Sequence, residues 1–511
     1  MGEGKDGRGA NLKDCSRVAS TTKTWRISCT VLLFLLVFLL SAVFISWMDN
    51  STSGLLILKT TITGSREDSS RNFTYPLNCS ATASMPQTCP GNYPTKHQTE
   101  NSYAEACPEY FRWIHEDLRP WKGAGITREI LESSKEHAHF RLVILNGKAY
   151  VEKYRNSFQT RDVFTIWGIL QLLRLYPGKV PDLELMFNCA DYPVIPKRDY
   201  EGSKAATVPP LFHYCGLNTT MDIIFPDWSF WGWPEVNIRP WEGTLGAIEE
   251  KAGKTRWKDK VPFAYWKGNP VVAQTRLDLM KCNGTTEIDW KARLYTQDWR
   301  QATAEGFKDS NLEDQCTHRY KIYVEGSAWS VSEKYILACD AVTLMITPEY
   351  YDHFTRGMVP MEHYWPIRPD QKCRDIKFAV EWGNNHTEEA QRIGESGSRF
   401  ISESLKMKYV YDFMFHLLNE YAKLLKFDVE VPPGAVELCS ELMACPAGGL
   451  IRKFMTESVV ESPSNTLPCS LPPPYEALEL KAFMERKESV TRQVEKWESE
   501  FWQNLEKKPQ T

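Results

Sequence analysis

Apolar residues first gather in an unbroken run, ISCTVLLFLLVFLLSAVFISWM, from Ile27 to Met48. It holds 22 residues and no charge, and roughly 20 apolar residues span a bilayer. Lys5, Arg8, Lys13, Arg17, Lys23 and Arg26 precede it, against Glu3, Asp6 and Asp14. Because basic flanks stay cytoplasmic, residues 1–26 read as a cytosolic tail, 27–48 as an uncleaved signal anchor, and the rest as lumenal, a type II arrangement. A cleaved signal peptide fits less well, since the apolar stretch is long and no small-x-small site follows it. Residues 49–105 are rich in Ser, Thr, Asn and Pro and read as a stem.

Beyond the stem the pattern turns globular, beginning at CPEYFRWIHEDLRPW from Cys107. ITREILESSKE predicts a helix, and FRLVILNGKAYVEKY a hairpin turning at Asn146-Gly147. Helical spacing in 163–177 is followed by the strand LELMFNC, 183–189. A second block again alternates strand and helix, with strands at 261–268, 320–326 and 342–346 and a helix in SVSEKYILACDA. Strand, glycine turn, helix, strand is a βαβ unit with parallel neighbours. FISESLKMKYVYDFMFHLLNEYAKLL predicts one long helix closing that block. The expected organisation is therefore α/β, with a first domain at 106–255, a second at 256–430, and 431–511 as a linker and a charged terminal helix. Phe483, Val490, Val494, Trp497, Phe501 and Leu505 share one face of that helix. The stripe either docks on the body or forms a short coiled coil through which the chain dimerises.

Composition narrows the setting. The chain has 511 residues, 42% of them hydrophobic, and a net charge of −4, which excludes the basic excess of a nucleic-acid binder. Six N-x-Ser/Thr sequons, at Asn50, Asn72, Asn78, Asn218, Asn283 and Asn385, all follow the apolar run, as do 12 of the 14 cysteines. Both features suit an oxidising lumen. There is no C-x-x-C pair to suggest structural zinc, and Asp6 excludes an N-myristoylation motif. The ending EKKPQT is not a retrieval signal, which favours the Golgi apparatus over the endoplasmic reticulum.

Ligands of parallel α/β sheets gather at the carboxyl ends of strands. Three candidates end strands here: Asp191, then Lys267-Gly268-Asn269 with Arg276 soon after, and Glu325-Gly326-Ser327 opening a helix. An acid at one strand end and a phosphate cradle at others suit transfer from a nucleotide-activated donor. Taken singly, each is more often a turn residue or a solvated charge. Between the blocks, MDIIFPDWSFWGWPEVNIRPW carries Trp228, Trp231, Trp233 and Trp241. Composition favours core packing for these rings over a sugar platform. A glycosidase would need a second carboxylate facing Asp191, and the sequence offers none that can be placed there.

The motifs FNCADYP, DIIFPDWSFWGWP, FAYWKGN, YKIYVEGSAWSVSEKYILACDAVTL and YYDHFTRGMVPMEHYWPI, in that order, resemble the Rumi-like protein O-glucosyltransferase family, which includes capsule-associated xylosyltransferases. The likeness runs from about Cys107 to Leu425 and is strongest to the family's plant branch. It implies two Rossmann-like domains facing a cleft, the GT-B arrangement, and an inverting, metal-independent enzyme with no cofactor. The partners it implies are a UDP-sugar and a protein or polysaccharide acceptor. The family's base falls on Asp191. Its donor contacts fall on Asn269, Arg276, Gly326, Ser327, Ala328, Trp329 and Ser332, and its sugar or acceptor contacts on Phe158, Arg161, Trp231, Pro240 and Trp241. A bridged cysteine pair falls on Cys316 and Cys339. Two departures stand out: Ala190 replaces an arginine before the base, and Ser332 replaces an arginine that contacts phosphate, a charge that a hydroxyl cannot supply. These departures are what favour the alternative, a catalytically silent sugar- or nucleotide-sugar-binding protein of the Golgi membrane.

Overall fold

The computed structural model describes residues 74–79, 88–90, 96, 104–284 and 288–507. The expected tail, membrane anchor and sequons at Asn50 and Asn72 lie outside these residues. Among the described residues no helix is long and apolar enough to cross a membrane. Asn72–Thr511 form one compact unit built on two sheets.

The first sheet has the order β11-β2-β1-β3-β4-β5. Its strands are β1 (Phe140–Leu145), β2 (Lys148–Lys153), β3 (Leu183–Phe187), β4 (Leu211–His213) and β5 (Ile223–Ile224), joined at the edge by the later β11 (Val436–Leu438). β1 and β2 form the expected hairpin, and Asn146 and Gly147 take the positive φ values of 51° and 75° that its two-residue turn demands. The hairpin makes one half of the sheet antiparallel, whereas β3, β4 and β5 run parallel. Every residue of β3 is buried, including Glu184. Its carboxylate is matched by Arg141 at 3.3 Å and Arg128 at 3.1 Å, without which a charge in a sheet core would be prohibitive.

The second sheet is wholly parallel, with β6 (Val261–Gly268), β7 (Ala292–Thr296), β8 (His318–Tyr323), β9 (Val342–Ile346) and β10 (Trp365–Ile367) in the order β10-β9-β8-β6-β7. Taken in chain order from the other edge, this is the doubly wound order 2-1-3-4-5. Its strand order reverses between β6 and β8, and ligands collect at such a switch point.

Three expectations are corrected. The single long helix at 400–425 is two, Thr387–Ser404 and Met407–Ala422. The break at Leu405-Lys406 is made by Lys406 turning extended (φ −57°, ψ 151°) while the Leu405 carbonyl accepts the Trp241 indole N–H at 2.8 Å. The first of these helices packs on the second sheet and the other crosses back onto β3. The first sheet is mixed rather than a parallel Rossmann-like sheet, because the hairpin and β11 pair antiparallel. Residues 431–474 are not a linker. They add β11 to the first sheet and carry three half-cystines, in Cys89–Cys439, Cys79–Cys445 and Cys107–Cys469. The expected Cys316–Cys339 bridge is present, as is Cys282–Cys373.

The terminal helix Ala477–Glu506 docks on its own chain. Val494 is buried, Phe501 packs on Phe378, and Lys487 Nζ donates to the Arg356 carbonyl at 3.1 Å. Val494→Ala is therefore expected to lower unfolding free energy by about 1.5–3 kcal/mol, read from the midpoint of urea denaturation. A helix that belonged to an intermolecular coiled coil would leave that midpoint independent of Val494 at high dilution.

Candidate active site

The polypeptide leaves β3 through a turn tied by Asn188. Its amide donates to the His137 carbonyl at 2.6 Å, and its Oδ1 accepts from Ala190 N–H at 2.7 Å. That turn delivers Asp191 to the rim of a cavity of about 490 Å³. The carboxylate is 36% exposed and pairs with Arg161 Nη1 at 2.8 Å. Arg161 is the first residue of the helix Arg161–Leu175, and its own side chain is buried. The guanidinium lies over Trp228 at 4.4 Å and Phe158 at 5.0 Å, so cation–π contacts fix its plane. The positive charge missing at Ala190 is thus supplied from another element.

The opposite wall comes from the switch point of the second sheet. Arg276, from the helix Gln274–Met280, reaches across the ends of β6 and β8. Its Nε donates to the Glu325 carbonyl at 2.8 Å, Nη1 to the Asn269 carbonyl at 3.2 Å, and Nη2 to the Val324 carbonyl at 3.3 Å and Ser330 Oγ at 3.1 Å. All four acceptors are neutral. Burial pulls its pKa down to about 10, leaving it still a cation at neutral pH. The Asn269 side chain accepts from Val271 N–H at 3.1 Å and so shapes the loop. Gly326 lies against Arg276: a Cβ there would sit 3.3 Å from Nη2. Ser332 Oγ is 2.9 Å from Ser330 Oγ, so where the resemblance calls for an arginine there is a hydroxyl pair leading to Arg276.

Of the residues named from sequence, Phe158, Arg161, Asp191, Asn269, Arg276, Gly326, Ser327, Trp329 and Ser332 line this one cavity. Ala328 is buried beneath it, its carbonyl accepting from Gly326 N–H at 2.9 Å. Trp231, Pro240 and Trp241 do not line it and are buried. Trp231 packs flat where Gly168 leaves room and donates to Tyr411 Oη at 3.0 Å. The tryptophans that do line it are Trp228, Trp233, Trp266, Trp299 and Trp329. Sequence reasoning also missed Glu235, Tyr265 and Lys321 in the lining. Glu235 accepts from Thr160 Oγ1 at 2.9 Å, so it stands on the same lobe as Asp191 and not across from it. Period-two alternation along YKIYVEG could have singled out Lys321 as the odd charge in an apolar strand.

Gly168→Ala is expected to lower stability. Its methyl group would enter the Trp231 indole, and overpacking costs about 1–3 kcal/mol, more than the roughly 1 kcal/mol that alanine gains in a helix. A lower melting temperature with ligand affinity unchanged at 20 °C is the expected result. Altered affinity in folded protein would return Trp231 to the cavity.

The sequence profile of glycosyl transferase family 90 matches residues 102–498. Among curated proteins, the O-glucosyltransferase rumi homolog of Aedes aegypti is 26% identical over 337 residues, covering 63% of this chain and 80% of that protein. Protein O-glucosyltransferase 1 of Homo sapiens is 26% identical over 359 residues, 66% of this chain and 86% of its own. O-glucosyltransferase rumi of Drosophila melanogaster is 24% identical over 339 residues, 63% and 79% respectively.

Proposed function

The chain belongs to glycosyl transferase family 90, and from that premise we propose that this glycosyltransferase is inverting and metal-independent, moving glucose or xylose from a UDP-sugar to a hydroxyl of a protein or glycan acceptor. One observation carries the reading: a partly exposed carboxylate on one lobe and, on the other, a guanidinium that no carboxylate among the described residues pairs with share a single cavity. The relatives named as protein O-glucosyltransferases support glucose and a protein acceptor first.

In this mechanism the acceptor O–H gives its proton to Asp191 as its oxygen bonds to the anomeric carbon. The bond from that carbon to the diphosphate oxygen breaks, and its electron pair leaves with UDP. A positioned general base contributes about 10²- to 10⁴-fold. Arg161 sets the direction of the carboxylate, so the base needs no reorganisation when the proton moves. Arg276 meets the charge developing on the diphosphate in a walled site where a fixed cation is most effective. Attack from the face away from UDP converts an α-linked donor into a β-linked product.

The lining is consistent with metal independence. Its cations are Arg161, Lys267, Arg276 and Lys321, and its acids are Asp191 and Glu235. Both carboxylates already have protein partners, and a divalent cation prefers several free oxygen ligands. The glycosidase alternative needs two carboxylates flanking one bond, which Asp191 and Glu235 on one lobe do not offer. For residence we propose a type II protein with its catalytic part in the secretory lumen, the Golgi apparatus first. Five cystines among the described residues support this reading. So do the exposed positions of Asn78, Asn218 and Asn385. Asn283 is exposed as well, but its carboxamide bonds to Leu294 on β7.

The test is release of UDP from UDP-glucose and UDP-xylose by the full-length chain with acceptor present. Asp191→Asn is expected to cut turnover at least about 10³-fold while the Kd for UDP stays within about threefold; retained turnover removes Asp191 from the role. Arg276→Ala is expected to weaken UDP by about 10- to 100-fold, the loss of a charged hydrogen-bond donor. Unchanged affinity by calorimetry would refute that assignment.

A further inference from the structure

Two cations of the cavity, Lys267 and Lys321, have no part in the reaction drawn above, and Lys321 is the buried one. Lys321 lies within β8 and lines the cavity. Its Nζ donates to the Gln315 carbonyl at 3.1 Å and approaches Cys339 Sγ at 3.5 Å, and it lies 5.3 Å from the centre of the Tyr265 ring. Among the described residues no carboxylate pairs with it. Burial, helped by the like charge of Lys260, draws its ammonium down to about 7. An ammonium has three donors. One carbonyl satisfies one of them, and the sulfur of a cystine is a weak acceptor. A cation so placed in a cavity wall is stabilised when a ligand brings an oxygen to it.

Position says which part of a ligand that is. Val324, whose carbonyl holds Arg276, follows Lys321 by three residues. At the usual rise of a strand, these backbones are roughly 10 Å apart. With the diphosphate at Arg276, one of its ends carries the sugar, which has to reach Asp191 on the first lobe. The other end carries the nucleoside, and it is left to the second lobe, along β8. We propose that Lys321 reads the edge of the nucleobase, donating to a ring carbonyl beside Tyr265, and so selects a base such as uracil over cytosine, which presents an amino group in place of one carbonyl. This rests on the donor reading above and assigns the residue that sets its base specificity.

The experiment is calorimetry at pH 6, where the Lys321 ammonium is charged, with UDP, CDP and inorganic pyrophosphate as probes. It uses the full-length chain and its Lys321→Met and Lys321→Gln variants, each checked by circular dichroism and thermal melting. The unaltered chain is expected to bind UDP at least about 10-fold more tightly than CDP, the worth of one hydrogen bond from a charged donor. Lys321→Met should bring that ratio to within about threefold, mainly by weakening UDP, with pyrophosphate unaffected. Lys321→Gln, which keeps an N–H donor, should fall between the two, and it decides the matter if the methionine variant does not fold. An unchanged UDP-to-CDP ratio overturns the proposal. So does equal weakening of UDP, CDP and pyrophosphate, which would make Lys321 a general source of positive potential. Failure of the unaltered chain to bind any of the three probes would instead sink the donor reading itself.

Discussion

Arg276 bonds to three backbone carbonyls and one hydroxyl, and among the described residues no carboxylate pairs with it. Neutral acceptors fix the guanidinium in place without cancelling its charge, so a net positive charge remains at the ends of β6 and β8. Most buried arginines are matched by acids, as Arg356 is by Asp117 at 2.7 and 2.6 Å. The partly buried Arg276 keeps its charge unmatched, an arrangement that an arriving anion would complete. The strand order puts that charge at the switch point of the parallel sheet, in the wall of the cavity.

A charge on one lobe is useful only if the carboxylate on the other stays at a set distance. Several contacts across the cleft hold it there. Lys334 donates to Ser229 Oγ at 2.7 Å and pairs with Asp227 at 3.4 Å, with all three side chains buried. Burial alone would lower the Lys334 pKa, but the charge of Asp227 together with Tyr335 and Asp352 outweighs it and holds the ammonium above its ordinary value. Gly216 and Tyr351 exchange backbone hydrogen bonds at 2.9 and 3.0 Å. Trp329 packs its ring against Tyr214 and Trp228. The terminal helix then packs its Phe483 on the core of the first sheet and Val494 on that of the second. Asp191 and Arg276 are thus held in place on facing lobes, which would leave little reorganisation for the proposed chemical step.

What the sequence disclosed follows from which signals are local. Strands β6 and β9 and the hairpin turn were readable because alternation, β-branched residues and Asn-Gly act over a few positions. The helix break at Leu405-Lys406 was hidden, since neither residue is a helix breaker and a distant indole takes the freed carbonyl. Residues 431–474 misled because proline and serine look like a linker, while their fixation comes from cysteines more than 300 positions away. Asp191, Arg276 and Gly326 were legible as strand-end residues within motifs. Their pairings were not: Arg161 was expected only as an acceptor contact, and its approach to Asp191, like that of Ser330 to Arg276, is made by tertiary structure. Trp231 and Trp233 stand two apart in one motif, yet the first faces the core and the second the cavity.

The exchange of an arginine for Ser332 bears on how the family's chemistry persists here. An arginine at that place would put a second cation beside the diphosphate. With Ser332, the Ser330 and Ser332 hydroxyls can only pass on the polarisation of Arg276, so the local charge is smaller by one. The cavity as a whole still carries four cations against two acids, and both acids lie on the first lobe with Asp191. Three of the cations, Lys267, Arg276 and Lys321, lie on the second. The field therefore points across the cleft, and in the proposed reaction it would draw a leaving anion toward the second lobe and leave the proton on the first. A serine at 332 in place of an arginine weakens that polarity without reversing it, so the proposed direction of transfer keeps its electrostatic support.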